Sequence, residues 1–287
     1  MVAIAVVAGA VIGLSMGALG GGGSILAVPV LVYALYLDPQ AATTASLVIV
    51  GVTAVVAAMS HARAGRVDWR AALIFGALGI PASIGGSLLN RAVDPQVLLL
   101  AFAALMLLAA AAMYRRSRAS APTTTRHSPI GVAQVARVVL AALVVGFLTG
   151  FLGVGGGFLI VPALVLAMGF GMPTAVGTSL VIISITSLAA LVERLGHGAI
   201  AWEVIIPFTA AAIAGSLLGK RLADRVSGVA LTRAFALLLV VVAGYVAIRA
   251  GSQLHGTGTG EEAKALGGAT TASAGVGCSS SLTGRAA

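Results

Sequence analysis

Long intervals without any charged side chain set the strongest limit on how this chain folds. No Asp, Glu, Lys or Arg occurs in 1–37, 39–62, 71–90, 95–114, 138–192 or 204–219. Only 9% of the 287 residues are charged, whereas a soluble domain carries about 25%. Too few charges are therefore present to cover a water-soluble body of this size. The composition predicts an all-α, multi-pass membrane protein whose main partner is the lipid bilayer.

The same composition excludes several classes of function. A soluble enzyme and a disordered chain do not fit a mean hydropathy of +1.09. The net charge of +9 does not indicate nucleic acid, because Lys and Arg collect in the cytoplasmic loops of membrane proteins. No HExxH, GxSxG, Walker or CxxC pattern occurs, so we predict no catalytic residue, metal or cofactor and no enzyme activity.

Six segments each have the length and apolarity of one membrane span, which takes about 20 residues. They are 41–60, 71–90, 95–114, 174–192, 204–219 and 230–248. Two stretches, 2–37 and 130–170, would instead form helices of roughly 54 and 60 Å, about twice the hydrocarbon thickness. Glycine clusters interrupt both stretches, and glycine destabilises a helix by about 1 kcal/mol relative to alanine. Each stretch is therefore predicted to be a hairpin.

The second arm of each hairpin is short. These arms, 24–37 and 158–170, follow the clusters Gly20–Gly23 and Gly153–Gly157. At 1.5 Å per residue each arm is about 20 Å long, which is too short to cross the bilayer. A short helix that begins at a glycine cluster is typical of half-membrane or re-entrant segments.

The two halves of the chain resemble each other at an offset of 133 residues. The matched positions are Gly13–Gly20 with Gly146–Gly153, Pro29 with Pro162, Ser46–Ile49 with Ser179–Ile182, and Trp69 with Trp202. Further on, Gly86–Leu89 resembles Gly215–Leu218 with the offset reduced by 4. We predict two homologous repeats, each with about four spanning helices and one glycine-broken half-helix. The predicted units are repeat 1 (1–114), a basic cytoplasmic linker (115–129), repeat 2 (130–249) and a disordered polar tail (250–287).

Basic residues indicate how the repeats are oriented, because they favour the cytoplasmic side. With five segments in each half, 12 basic residues share one side and 3 lie opposite. With four segments in each half, the split is 10 to 5. Both counts are allowed, and the better segregation favours inverted repeats with both termini outside.

The glycine clusters are the first candidate binding feature. A helix that begins inside the membrane leaves first-turn N–H groups unpaired and carries a partial positive charge there. Such ends bind anions, and they recur at repeat interfaces in transporters. The candidate residues are Gly22, Gly23, Ser24, Gly155, Gly156 and Gly157, with Ser24 at an expected N-cap. The alternative is that these glycines only allow close helix packing.

Hydroxyl groups form a second candidate set at the start of the span after each half-helix. They are Thr43, Thr44 and Ser46 in the first half, and Thr178 and Ser179 in the second. These groups are placed to donate hydrogen bonds to a ligand, although Ser and Thr also bond to helix backbones in membranes. No carboxylate lies within a predicted span, which argues against a cation carrier. His61 ends a span beside Arg63 and is interpreted as an interfacial side chain.

These duplicated glycine motifs, with Gly177–Leu180 after the second, resemble the sulfite exporter TauE/SafE family, the 4-toluene sulfonate uptake permeases (TSUP). The resemblance covers about residues 3–248. It implies a multi-pass protein of the cell inner membrane that moves small anions, often sulfite or sulfonates. The duplication is not strict, because Ser24 stands where the second half has Gly157, and Thr44 where it has Gly177.

The sequence thus predicts a secondary transporter of a small anionic substrate, working by alternating access between two repeats. An anion channel on the same scaffold remains an alternative, and a membrane enzyme or assembly factor is a weaker one. The substrate, the direction of transport, ion coupling and assembly into a homo-oligomer stay open.

Overall fold

The computed structural model describes residues 2–90, 92–118, 132–152, 157–194 and 202–246. Within these ranges every element of regular secondary structure is a helix, and there is no strand. The helices are α1 (Val2–Leu19), α2 (Gly22–Tyr33), α3 (Pro39–Arg63), α4 (Trp69–Asn90), α5 (Pro95–Arg118), α6 (Val132–Leu152), α7 (Gly157–Leu166), α8 (Met172–Arg194), α9 (Trp202–Asp224) and α10 (Gly228–Val246). This confirms the predicted all-α architecture.

Seven of these helices, α3 to α6 and α8 to α10, are long and apolar enough to cross a membrane. The apolar helices α1, α2 and α7 are shorter, and α1, with 18 residues, is the longest of the three. Each of the six predicted single spans coincides with one helix. Each predicted hairpin stretch contains two helices, α1 with α2 and α6 with α7. The predicted multi-pass membrane protein is therefore confirmed.

The half-length helices end earlier than predicted. Expected to extend to 37 and 170, they end at Tyr33 and Leu166. In both cases the chain leaves the helix through a residue with positive φ, Tyr36 (54°) and Gly169 (75°). Of the predicted linker, 115–118 belongs to α5, while 119–129 and the predicted tail lie outside the described residues.

Acidic and hydroxyl side chains cap the N-terminal ends of several helices. The Asp68 carboxylate accepts a hydrogen bond from the Ala71 N–H at 2.9 Å and so caps α4. The Ser227 hydroxyl accepts one from the Ala230 N–H at 3.3 Å at the start of α10. Such caps satisfy N–H groups that have no partner within the helix. Helices α3 and α5 each begin with proline directly after an aspartate, a position where the missing N–H of proline costs nothing.

Two parallel helix pairs, α1 with α9 and α4 with α6, pack with their backbones in contact. A Cβ at any of four glycines would overlap the partner's backbone. These contacts are Gly13 with Ala212, Gly17 with Ser216, Gly146 with Gly79, and Gly150 with Ser83. Adding 133 to the first-half residue and subtracting it from the second-half residue converts each α1–α9 contact into an α4–α6 contact. A duplicated chain with an internal two-fold arrangement would produce this pattern.

The same offset recurs in the turns after α2 and α7. The Leu37 N–H donates to the Leu31 carbonyl at 3.1 Å, and the Phe170 N–H donates to the Leu164 carbonyl at 3.2 Å. Both members of the first bond lie 133 residues before those of the second. The backbone therefore turns in the same way at equivalent positions of the two halves, which supports the predicted repeat.

The predicted reduction of the offset near Gly86 is wrong. Gly86 packs against the backbone of Phe147 and Phe151, and Gly219 packs against Leu14 and Ala18. These contacts make Gly86 equivalent to Gly219, which keeps the offset at 133. The error has a physical cause, because small residues line this face of α9 every four positions. A shift of one helical turn therefore preserves the sequence similarity.

Helices α3 and α8, which are equivalent under the offset, cross in opposite directions. A Cβ on Gly51 would lie 3.2 Å from the Ser187 Cβ, whereas one on Gly177 would lie 3.2 Å from the His61 Cβ. Residue numbers therefore rise along one helix as they fall along the other. Equivalent helices that are antiparallel support the predicted inversion of the repeats.

Candidate functional site

The two half-length helices, α2 and α7, begin next to each other. A Cβ on Gly21 would overlap the carbonyl group of Gly157. At 1.5 Å per residue, the 12 residues of α2 and the 10 of α7 give lengths of about 18 and 15 Å. Together they match a hydrocarbon core of about 30 Å. If they extend from this shared point towards opposite surfaces, helices of these lengths begin close to the membrane midplane, which is where we expect the meeting point to lie.

A left-handed glycine turns the chain from α1 into α2. Gly20 has a φ of 75°, a backbone conformation that residues with a side chain rarely adopt. A Cβ on Gly20 would lie 2.6 Å from the Ser179 Oγ and 3.3 Å from the Val176 Cα. The turn therefore presses against the first turns of α8, and Ser179 lies beside the meeting point of α2 and α7.

Ser24 also lies at this meeting point, but it does not cap α2 as the sequence predicts. A Cβ on Gly157 would lie 2.6 Å from the Ser24 Oγ. That hydroxyl donates to the Gly21 carbonyl at 2.7 Å. The N-cap residue is Gly21, and it makes no side-chain capping bond. The prediction is wrong because Gly22 and Gly23 already belong to the helix, which places Ser24 inside its first turn.

The surroundings of the meeting point contain no charged side chain on four of its helices. No Asp, Glu, Lys or Arg occurs in α1, α2 or α7, or in α8 before residue 193. The N-terminal ends of α2 and α7 carry the partial positive charge of their first-turn N–H groups. In an environment of low dielectric constant that charge favours an anion more strongly than it would in water.

The predicted hydroxyl groups differ in the hydrogen bonds that they make. Ser179 is fully buried and donates to the Val176 carbonyl at 2.8 Å. At the equivalent place in the first half, Ser46 donates to the Thr43 carbonyl at 2.7 Å. The Thr178 hydroxyl, also fully buried, accepts a hydrogen bond from the Asp68 N–H at 3.0 Å. Thr178, which directly precedes Ser179 in the sequence, therefore holds the loop between α3 and α4 in place.

The other predicted glycines differ in position. A Cβ on Gly22 would lie 2.7 Å from the Leu238 Cδ2 in α10, and one on Gly23 would lie 2.5 Å from the Ile12 carbonyl oxygen in α1. These two glycines therefore allow close packing on neighbouring helices. Gly155 and Gly156 lie outside the described residues, and Thr44 is a buried residue of α3.

The structure brings together Ser24, Gly157 and Ser179 from the predicted set. It adds two glycines at the meeting point, Gly20 and Gly21, which belong to the predicted cluster but not to the predicted site. The signal that could have identified them is their place at the start of the glycine run, where a tight reversal between two helices requires a residue without a side chain.

A separate groove of about 250 Å³ lies between α3 and α8. Its lining is almost wholly apolar and includes Val48, Val55 and Leu188. Such a surface suits hydrocarbon rather than an anion. In the described ranges, no three His, Cys, Asp or Glu side chains are grouped so that they could hold a metal ion.

The comparisons with known proteins agree with this architecture. The sequence profile of the sulfite exporter TauE/SafE family matches residues 5–246. A "Probable membrane transporter protein" of Xylella fastidiosa is 36% identical over 249 residues, which cover 86% of this chain and 95% of that protein. The "Probable membrane transporter protein YunE" of Bacillus subtilis is 27% identical over 83% of this chain and 94% of that protein. No solved structure matches the chain significantly.

Proposed function

The chain belongs to the sulfite exporter TauE/SafE family of membrane transporters, and we propose that it carries small sulfur-containing oxyanions such as sulfite or organosulfonates. In this proposal it is a secondary transporter of the cell inner membrane that exposes one site alternately to the two sides. It performs no chemical step on its substrate.

The observation that carries the proposal is the meeting of α2 and α7 at their N-terminal ends, where Gly21 contacts Gly157. Two helix ends of like polarity that face each other in an apolar interior are unfavourable without a counter-charge. A small anion supplies that charge and accepts hydrogen bonds from first-turn N–H groups. Discontinuous helices with this arrangement are typical of transporter binding sites at the membrane midplane.

Side-chain hydroxyls complete the proposed site. Ser24 and Ser179 approach the meeting point from α2 and α8, and both donate to carbonyl groups of their own helices in this structure. A serine hydroxyl rotates to suit its partner, so an anion can take the place of the carbonyl as acceptor. Oxyanions present several strong acceptor atoms, which suits a site that has donors on three helices.

The proposed alternating access uses an inverted relation between the two halves, which the antiparallel crossing of α3 and α8 supports. The pair α1–α9 joins one half to the other, and the pair α4–α6 does so at the equivalent place. Rocking of one set of helices against the other exchanges the two halves' conformations about a fixed site. The site at the meeting point lies between the halves, as this mechanism requires.

Counterflow in proteoliposomes tests the proposal. Vesicles preloaded with sulfite, sulfate, thiosulfate, methanesulfonate or acetate are given a trace of the same labelled anion outside. We expect saturable exchange of at least one sulfur oxyanion, and Ser179→Ala should slow it by about tenfold, the loss of roughly 1.4 kcal/mol of stabilisation.

Ser184→Ala is the matched control. Ser184 lies in the same helix and makes the same kind of bond, to the Leu180 carbonyl at 2.8 Å, but it lines the apolar groove. Its exchange rate should equal that of the unmodified protein. Flux that does not saturate and shows no counterflow would indicate a channel, and absence of any anion flux would refute the proposal.

A further inference from the structure

His61 is a buried histidine in the last turn of α3 that the anion site does not use. The sequence places it at the end of a span, and it does lie two residues before the end of α3. The interpretation as an interfacial side chain is wrong, because only 1% of its surface is exposed. The side chain is covered because α1, α8 and the loop after α3 converge on it. A Cβ on Gly177 of α8 would lie 3.2 Å from the His61 Cβ, and the Arg66 N–H donates to the His61 carbonyl at 3.1 Å.

The two ring nitrogens of His61 have different settings. Nε2 lies 3.2 Å from the Gly17 carbonyl oxygen of α1. A carbonyl only accepts hydrogen bonds, so Nε2 must carry the proton and Nδ1 of the neutral ring carries a lone pair. Nδ1 is buried and has no hydrogen-bond partner in the part of the chain that the structure describes. A buried lone pair without a donor is a vacant site for a proton.

The charges that face this ring come from a small number of elements. Lys220 and Asp224 of α9 and Arg66 of the loop after α3 act on it electrostatically. Arg66 and Lys220 both pair with Asp224. On its own helix the nearest charge in sequence is Arg63, while α1 and residues 172–192 of α8 carry no charged side chain.

The balance of these charges links a proton on His61 to an anion. Two cations and one carboxylate already surround the ring, so an added positive charge needs a further negative charge nearby. His61 contacts α1 at Gly17, one helical turn before the Gly20 turn, and α8 at Gly177, two residues before Ser179. An anion at the proposed site between α2 and α7 would stabilise the imidazolium, and the imidazolium would in turn strengthen anion binding, as linkage requires.

We propose that His61 binds the proton that travels with the anion, which makes the protein a proton–anion symporter. The inference rests on the proposed anion site. The proton adds to Nδ1 when the anion is bound and leaves when the anion is released on the other side. The proton is taken from hydronium on one side and returned to water on the other, so an O–H bond is exchanged for the N–H bond of His61 and no other covalent bond changes.

The experiment uses proteoliposomes and three anions, sulfate, thiosulfate and methanesulfonate, which are conjugate bases of strong acids and bring no proton of their own near neutral pH. Counterflow at equal pH measures the anion site alone. Uptake from about pH 6 outside to about pH 8 inside measures coupling, because this gradient drives inward any proton that travels with the anion. We expect the gradient to raise wild-type uptake by about tenfold, an ordinary size for coupling between two sites.

His61→Gln removes the titrating group and keeps an N–H donor for Gly17. In this variant the effect of the gradient should disappear, while counterflow at saturating anion concentration stays within about threefold of wild type, because a high concentration compensates for the weaker anion affinity that loss of the imidazolium causes. Ser60→Ala is the control, because the Ser60 hydroxyl bonds only within α3, to the Ala57 carbonyl at 2.8 Å. It should keep both activities.

A measurement on the wild-type protein does not depend on the variant. Pyranine trapped in the vesicles should report acidification that accompanies uptake of methanesulfonate. Absence of acidification, or a gradient effect that persists in His61→Gln, overturns the role of His61. Loss of counterflow in His61→Gln also overturns it, because the residue would then be needed for anion passage itself. A wild-type protein that shows no counterflow of any anion refutes the proposed function, and the symport proposal with it.

Discussion

The backbone of Gly21 lies directly against the carbonyl group of Gly157, so no side chain fits between the first turns of α2 and α7. Gly21→Ala places a methyl group into that contact and must separate the two helix ends. We expect the counterflow rate to fall by at least about tenfold, because displacing a binding group by about 1 Å has effects of this size or larger. Radiolabelled anion exchange in proteoliposomes measures it.

Gly85→Ala is the control for this substitution. A Cβ added to Gly85 in α4 would have no atom within 4 Å, so the structure accommodates the same methyl group there. Equal exchange rates in Gly21→Ala and Gly85→Ala would show that the meeting point does not bind the substrate.

A second prediction concerns the contact between α4 and α6. A Cβ on Gly146 would lie 2.6 Å from the Gly79 carbonyl oxygen, whereas a Cβ on Gly79 would have no atom within 4 Å. Gly146→Ala should therefore lower the thermal midpoint in detergent, with an overpacking penalty of about 1–3 kcal/mol. Gly79→Ala adds the same methyl group to the neighbouring residue of α4 in a direction where no atom lies within 4 Å, so it should leave the midpoint unchanged. Similar midpoints for both variants would contradict the close packing of these helices.

The spans could be predicted from the sequence because hydrocarbon excludes charge whatever the tertiary structure is. The charge-free intervals mark helices for that reason, and the glycine clusters mark the hairpin turns because glycine weakens a helix. These are local properties. Both α2 and α7 are shorter than the sequence predicts, because the residues after each helix form a non-helical turn that includes a positive φ, at Tyr36 and at Gly169. Tyrosine gives no sequence signal for that conformation.

The relations between helices could not be predicted in the same way. The burial of His61 depends on α1 and α8, which are distant in the sequence, and no local pattern reports it. The equivalence of Gly86 and Gly219 is hidden because small residues repeat at each turn of the contacting face. The glycine and serine residues of the proposed site could be recognised in the sequence. Which of them lie next to each other could not, because that depends on how the two halves pack.

A third prediction separates two adjacent residues, Thr178 and Ser179. Thr178→Val removes the acceptor for the Asp68 N–H and keeps the shape of the side chain. An unpaired buried donor costs about 1–3 kcal/mol, so the thermal midpoint should fall while counterflow stays near the wild-type rate. Thr178→Ser, which keeps the hydroxyl, should be close to wild type in both measurements. If Thr178→Val abolished exchange and Thr178→Ser preserved it, the Thr178 hydroxyl would belong to the anion site.

The last prediction concerns the orientation of the chain in the membrane. Arg66 pairs with Asp224, and a Cβ on Gly169 would lie 3.7 Å from a guanidinium nitrogen of Arg116. Because Gly177 at the start of α8 contacts Arg66, the ends of α3, α5 and α9 lie on one side of the helices. Their many basic residues predict that this side faces the cytoplasm. Tyr36, which is 81% exposed, follows α2 and precedes α3 at the opposite surface.

Cysteine labelling tests this assignment in a Cys278→Ser background, because Cys278 is the single native cysteine. A membrane-impermeant maleimide should label a Tyr36→Cys variant in intact cells, since that position is exposed to the outside. It should label an Arg225→Cys variant, also at an exposed position, only after the membrane is permeabilised. Labelling of both variants in intact cells would contradict two opposite surfaces, and the reverse pattern would place the basic surface outside. Either result would remove the charge argument for inverted repeats, because that argument requires the basic loops to face the cytoplasm.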